Sequence, residues 1–197
     1  MQAGDMRIQY DSQAAALVGR RLRAVRYWGL PSFGGQAPAW DYGDWHHAVM
    51  GVELLTDQGP ACVLWSSTFY SHGVEVFQTP ISQHIAVGDV ACESWDASRS
   101  DRWQAALRSP VTGLQTFWEP FHIGGGAAGS DSYTVQVPVA LRIDCDAETV
   151  WMVAGIPQAP EMKEVFVGGD EIMVVFTNEK MRQIGFPDSE FLATERG

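Results

Sequence analysis

Cysteine is scarce in this chain: Cys62, Cys92 and Cys145 are the only three in 197 residues, and none stands in a Cys-x-x-Cys pair. They are too few and too scattered for a disulfide framework, so a reducing cytoplasm is the expected compartment. Long apolar runs are also missing. Nowhere do eighteen apolar residues stand together, and the opening MQAGDMRIQYDSQ has no basic segment leading into an apolar one, so neither a membrane span nor a secretion signal is expected. Positive charge is short as well, with 13 Lys and Arg against 24 Asp and Glu, a net charge of −11. Residues 111–197 hold five cations against thirteen carboxylates and so supply −8 of that total. Such a half repels a nucleic-acid backbone and attracts a basic protein, although solubility alone also accounts for surface acid.

What is present is apolar and aromatic. The chain is 46% hydrophobic, with eight Trp and nine Phe, enough to offset the entropy of ordering one core. No Pro/Ser-rich or charge-rich linker divides it, so residues 1–197 are expected to form a single domain.

Most of the chain reads as strand. GRRLRAVRYWGL sets Leu22, Val25 and Tyr27 among arginines and fits a strand with one irregularity or a short helix, of which the strand is preferred. HAVMGVELLTDQGPACVLWSS carries two Val/Leu-rich runs that meet at Asp57-Gln58-Gly59-Pro60, a hairpin pairing 52–56 with 61–65. YTVQVPVALRIDCDAETVWMVAG repeats the arrangement around Asp144, Asp146 and Glu148, pairing 139–143 with 149–153. SDRWQAAL fits a helical turn, and NEKMRQIGF fits a short C-terminal helix capped by Asn178 and stopped at Gly185. The stretches 31–45 and 122–130, the latter containing GGGAAGS, are expected as surface loops.

The two hairpins align without a gap, Val52, Leu54, Asp57 and Val63 falling on Val139, Leu141, Asp144 and Val150. Together with LRAVRYW and VTGLQTFW upstream, and GVEVF and GDEIM downstream, this suggests two degenerate strand–hairpin–strand halves, 18–90 and 110–177. The expected fold is therefore mainly β, a single-domain sandwich or barrel with one short C-terminal helix. Chance similarity between any two hairpins with acidic turns is the competing explanation.

The stretch VFVGGDEIMVVF, 165–176, resembles the signature of the diguanylate cyclases at Gly168-Gly169-Asp170-Glu171, and Asp144 and Asp146 could mimic that family's metal-binding element. The family's Phe-Lys and Asn-Asp residues do not follow. The 21 residues between Asp146 and Gly168 include Pro157 and Pro160 and leave no room for a crossover helix plus a strand. The family's closing Phe is Ile172 here. The resemblance covers about ten residues, and cyclase activity is not expected; the glycines are read as serving a tight hairpin turn or a β-bulge, with Asp170 and Glu171 near the surface.

WDYGDWHH, 40–47, could supply His46 or His47 with Asp41 or Asp44 to a metal, but adjacent strand residues face opposite ways, so no metal site is expected. His72, His84 and His122 stand alone, and no Cys lies beside a His with an orienting group. Ser66-Ser67 and Ser130 lack the Gly-x-Ser-x-Gly elbow, and GGGAAGS lacks the Lys-Ser/Thr of a phosphate loop. No catalytic residue and no cofactor is assigned. Trp28, Trp65, Trp118 and Trp151 lie in apolar strands and read as core; Trp40, Trp45, Trp95 and Trp103 lie in polar surroundings and read as contact residues or as cover for loop clusters.

An acidic, β-rich single domain without a cofactor motif resembles the bacterial immunity proteins that neutralise toxins, through DCDAET (144–149), PEMKE (160–164) and GGDE. That resemblance implies an inhibitor that occludes a basic, toxin-like protein through Asp144, Asp146, Glu148, Asp170 and Glu171, with Trp40 and Trp45 adding contact. If the two hairpin turns lie at one end of the sheet, those five carboxylates fall together. The alternative is a small-molecule-binding β-barrel protein or enzyme whose mouth is lined by Trp40, Trp45 and His46. Oligomeric state is left open by the sequence.

Overall fold

A computed structural model of the chain describes residues 3–30, 40–66, 73–85, 92–123, 133–146, 148–159, 162 and 164–187. The GGGAAGS stretch, most of the 31–45 loop, Ser67, His72, Ser130 and, within PEMKE, Pro160, Glu161 and Lys163 lie outside the described residues. The elements are α1 (Ala3–Ala15), β1 (Leu22–Gly29), β2 (Trp45–Val49), β3 (Gly51–Thr56), β4 (Gly59–Ser66), β5 (Gly73–Phe77), a 3-10 turn (Ile81–Gln83), β6 (Glu93–Asp96), α2 (Asp101–Ala106), β7 (Val111–Ile123), β8 (Tyr133–Cys145), β9 (Thr149–Pro157), β10 (Val165–Val175) and α3 (Asn178–Gln183). The strands form one curled sheet in the order β5-β4-β3-β1-β2-β10-β9-β8-β7, with β6 on β1.

Two four-stranded antiparallel meanders flank β2 in that order: β1, β3, β4 and β5 in one half, and β7, β8, β9 and β10 in the other. Both expected hairpins are present, with Leu54 opposite Ala61 and Ile143 opposite Val150. The first turn is tighter than its sequence suggests. Thr56 already pairs with Gly59 and Leu55 with Pro60, so only Asp57 and Gln58 make the reversal. Gly59 takes φ +114°, and Pro60 is tolerated because it lies at the start of its strand. In the second hairpin the Cys145 amide bonds the Glu148 carbonyl at 2.8 Å, so the residue equivalent to Asp57 is Asp146 and not Asp144. A two-residue shift leaves every side chain on the same face, which is why the gapless alignment looked sound.

The curl brings Val25, Tyr27, Val52, Leu54, Val63 and Val76 of the first half against Leu141, Ile143, Met152 and Val174 of the second. Alternate residues of the second half, among them Ala140, Val153, Met173 and Val175, face outward and are covered by Met181, Ile184 and Phe186 at α3. Both faces of β8–β10 are therefore buried, and their sequences read as nearly continuous apolar runs instead of alternating ones.

One helix cap and one whole helix differ from expectation. The α3 cap is Thr177, whose hydroxyl accepts from the Lys180 amide at 3.1 Å, and not Asn178; Gly185 ends the helix at φ +104° as expected. Helix α1 was not foreseen. Among its described side chains it buries Tyr10 and Ala14, with Leu17 just beyond it, and it sits between the sheet's two edges: Tyr10 meets Trp118 of β7 at 5.4 Å, and Gln78, after β5, donates to the Gln13 carbonyl at 2.5 Å.

The Gly-Gly-Asp-Glu stretch is a bulge and not a turn. Val167 pairs with Gly155 and Ile172 with the adjacent Ala154, so four residues of β10 loop out against none of β9. Gly168 has φ +87°, and a β-carbon there would strike the Phe121 ring; one on Gly169 would strike Ile156. Gly168→Ala is expected to cost about 2–4 kcal/mol, from backbone strain plus overpacking. Gly59→Ala, at a positive φ but with open space, should cost less. Urea unfolding of the two variants measures the difference, and equal midpoints would show that Phe121 gives way freely.

Candidate functional site

The carboxylates named from the sequence fall into two separate groups. Asp144, Asp146 and Glu148 sit at the β8–β9 turn, whereas Asp170 and Glu171 sit in the β10 bulge. On β9 the first group lies beside Thr149 and the second beside Ala154, five residues apart, or about 17 Å along the strand. The expectation that all five fall together at one end of the sheet is not met, because the second acidic stretch is not a hairpin turn.

Asp144 is tied down within the fold. Its Oδ1 accepts from Arg142 Nε at 2.8 Å and from the Thr149 hydroxyl at 2.9 Å, and Gly113 leaves room for its carboxylate. Arg142 is itself buried, so the pair holds the end of the hairpin. Asp146 is exposed and Glu148 half-buried, and neither has an ion-pair partner among the described residues. With Cys145, Thr149, Trp151, Phe176 and Asn178 they line an open cleft of about 500 Å³. Burial first, and then the charges of Asp144, Asp146 and Glu148, push the Cys145 thiol up to about 11, so little of it is thiolate at neutral pH. Asp170 is exposed, and Glu171 Oε2 lies 2.7 Å from Nε2 of His47 on β2. The bulge thus aims a carboxylate across the ladder at a histidine.

The tryptophans partly exchange the roles expected of them. Trp45 and Trp103 are buried, while Trp28, Trp65 and Trp118 are half-buried, as are Trp40 and Trp95. Trp45 fails as an exposed contact residue because it lies on β2 itself, in the outer cluster beside Val175 and Met181. His46, the next residue, faces the other side. Trp40, Trp45 and His46 therefore do not line one mouth.

His46 is fully buried in a ring of aromatic side chains, with Trp40 at 4.9 Å, Phe176 at 4.6 Å and Tyr27 at 5.7 Å. The Trp103 indole N–H donates to the Tyr27 hydroxyl at 2.5 Å, and that oxygen lies 2.7 Å from His46 Nδ1. The other ring nitrogen, Nε2, faces the Asp41 carboxylate, which can only accept, so the neutral imidazole is assigned its proton on Nε2 and the Tyr27 hydroxyl, which accepts from Trp103, donates to Nδ1. Burial holds the Tyr27 hydroxyl well above its ordinary value, which keeps it a donor. Nε2 points toward Asp41 Oδ1 at 3.4 Å, too far for a well-formed bond. Tyr27 is the member the sequence did not disclose, since an aromatic in an apolar strand gives no sign that its polar atom has a task; Trp103, read as a contact residue or loop cover, is a buried donor on α2.

His46 and His47 reach different partners on opposite faces, as strand alternation requires. Among the described residues no group of three His, Cys, Asp or Glu is placed to hold a metal ion, and no helix is long and apolar enough to cross a membrane. No protein-family model, no curated protein and no solved structure matches the chain.

Asp144→Asn is expected to lower stability by about 1–2 kcal/mol, because it replaces the charged acceptor of the Arg142 and Thr149 bonds with a neutral one. Asp146→Asn should stay within about 0.5 kcal/mol. Denaturant midpoints distinguish the two, and equal effects would mean that the Arg142 pair does not hold the hairpin.

Proposed function

We propose that the chain is a protein-binding inhibitor that occludes a basic partner, as bacterial immunity proteins occlude toxins. One observation carries this reading: Asp146 and Glu148 are carboxylates without a cation partner among the described residues, standing at an open cleft lined also by Trp151 and Phe176. A cationic side chain of the partner enters that cleft, where it meets acid on one side and apolar surface on the other. Asp170 extends the acidic field from the bulge and acts at longer range, steering approach more than fixing the bound pose. Asp144 and Glu171 are spent within the fold and contribute only through the overall field. The protein acts by covering a surface, with no chemical step, in a reducing compartment where its three thiols stay free.

The test uses a partner recovered by affinity capture on the intact chain. The double variant Asp146→Asn, Glu148→Gln should associate roughly tenfold more slowly at low salt and lose much of its dependence on ionic strength, since screening shortens the reach of charge to about 8 Å near physiological salt. The dissociation rate should rise as well. An unchanged association rate together with an unchanged salt dependence contradicts the reading, as does a captured partner with no basic surface.

A further inference from the structure

In the strand order the two halves are joined through β2, with residues 19–22 also bonded to 108–111 where β7 begins, and the two sides of β2 are unequal. It pairs with β10 at four positions, from Ile172 opposite Val49 to Val175 opposite Trp45. With β1 it makes a single pair, Trp28 with Val49, because β6 occupies that edge of β1 through Arg26, Tyr27 and Gly29. Val49, the residue shared by both ladders, has φ +53°, a strained conformation for a β-branched side chain. Each neighbouring histidine then ties β2 to one half. His46 accepts from Tyr27 of β1, and His47 bonds Glu171 of β10.

We infer that β2 is a proton-gated seam: protonation of His46 releases it from β1, while His47 keeps it on β10. The asymmetry follows from which atom carries hydrogen. A second proton on the His46 ring must go to Nδ1, where it ends acceptance from Tyr27. The Tyr27 oxygen already takes the Trp103 N–H, so its own hydrogen is then left without an acceptor in a buried site. His47 instead faces a carboxylate with Nε2. Adding a proton at its other nitrogen leaves that bond in place and gives it charge assistance.

The charged groups facing His46 are Asp41 from the segment before β2 and Arg102 from α2; Tyr27 is the third titratable neighbour, and Trp40, Trp103 and Phe176 are neutral. Burial pulls the His46 value down to about 4, with Asp41 opposing and Arg102 assisting. An opened site returns His46 toward its ordinary value near 6.5, so the open form binds the proton more readily and opening grows as pH falls from about 6.5 to 4. Across that window the opening equilibrium should rise by roughly 10²-fold.

Amide hydrogen exchange resolved by residue reads this directly, as protection factors corrected for intrinsic rate. The Met50 amide, which donates to the Trp28 carbonyl at 2.9 Å, reports the β1 side of the seam. Amides of the β9–β10 ladder report the other half. Between pH 7 and 4.5 Met50 should lose protection while the β9–β10 amides keep theirs. His46→Gln, which still offers Tyr27 an acceptor but cannot titrate, should flatten that pH dependence. If this variant does not fold, the order of loss in the unmodified protein decides alone. Simultaneous loss in both halves, earlier loss on the β10 side, or an unaltered pH dependence in folded His46→Gln would overturn the inference.

Discussion

A five-residue strand in this sheet has to satisfy two neighbours that run in opposite senses. β2 lies parallel to β1 at one pair and antiparallel to β10 over four, and it is the strand through which the sheet passes from one half to the other. Backbone pairing alone is too sparse on the β1 side to fix the strand's position. The Trp103–Tyr27–His46 chain supplies what the ladder lacks: two buried hydrogen bonds from side chains on α2, β1 and β2. Because those atoms have no access to water, any displacement leaves several of them unpaired at once, which makes the arrangement specific as well as favourable.

The bulge of β10 is the matching device on the other side. Looping out four residues would ordinarily weaken a central strand, and here two glycines make it sterically possible while Glu171 secures it to His47. The stretch that resembles a nucleotide-cyclase signature thus has a structural explanation in this chain. Its glycines accommodate Phe121 and Ile156, and its second carboxylate is an internal partner of a histidine.

Much of the fold was legible in the sequence because its strongest features are local. Alternating or continuous apolar runs broken by acidic turns identify the two hairpins, and the SDRWQAAL stretch marks α2. What escaped depended on neighbours distant in sequence. α1 carries its buried side chains at Tyr10 and Ala14, with Leu17 just past its end, a stripe too thin to separate from a polar leader until the gap between β5 and β7 exists for it to fill. The tryptophans misled because local polarity does not measure exposure: Trp45 sits among Asp and His in sequence yet faces Val175 and Met181. The candidate site was half legible. Asp146 and Glu148 were named from their turn, while Phe176 and Asn178, which line the same cleft, join it only through the pairing of β9 with β10.

The account stands on the position of one hydrogen atom in the His46 ring, and nitrogen NMR of the uniformly labelled protein at neutral pH locates it. The two-bond correlations of His46 should show Nδ1 in the range of an unprotonated, hydrogen-bond-accepting nitrogen and Nε2 in the protonated range. They should also stay unchanged until well below the pH at which an exposed histidine titrates. A proton on Nδ1, or titration of His46 near pH 6.5, would mean that Tyr27 does not donate to it and that β2 is held to β1 by something else.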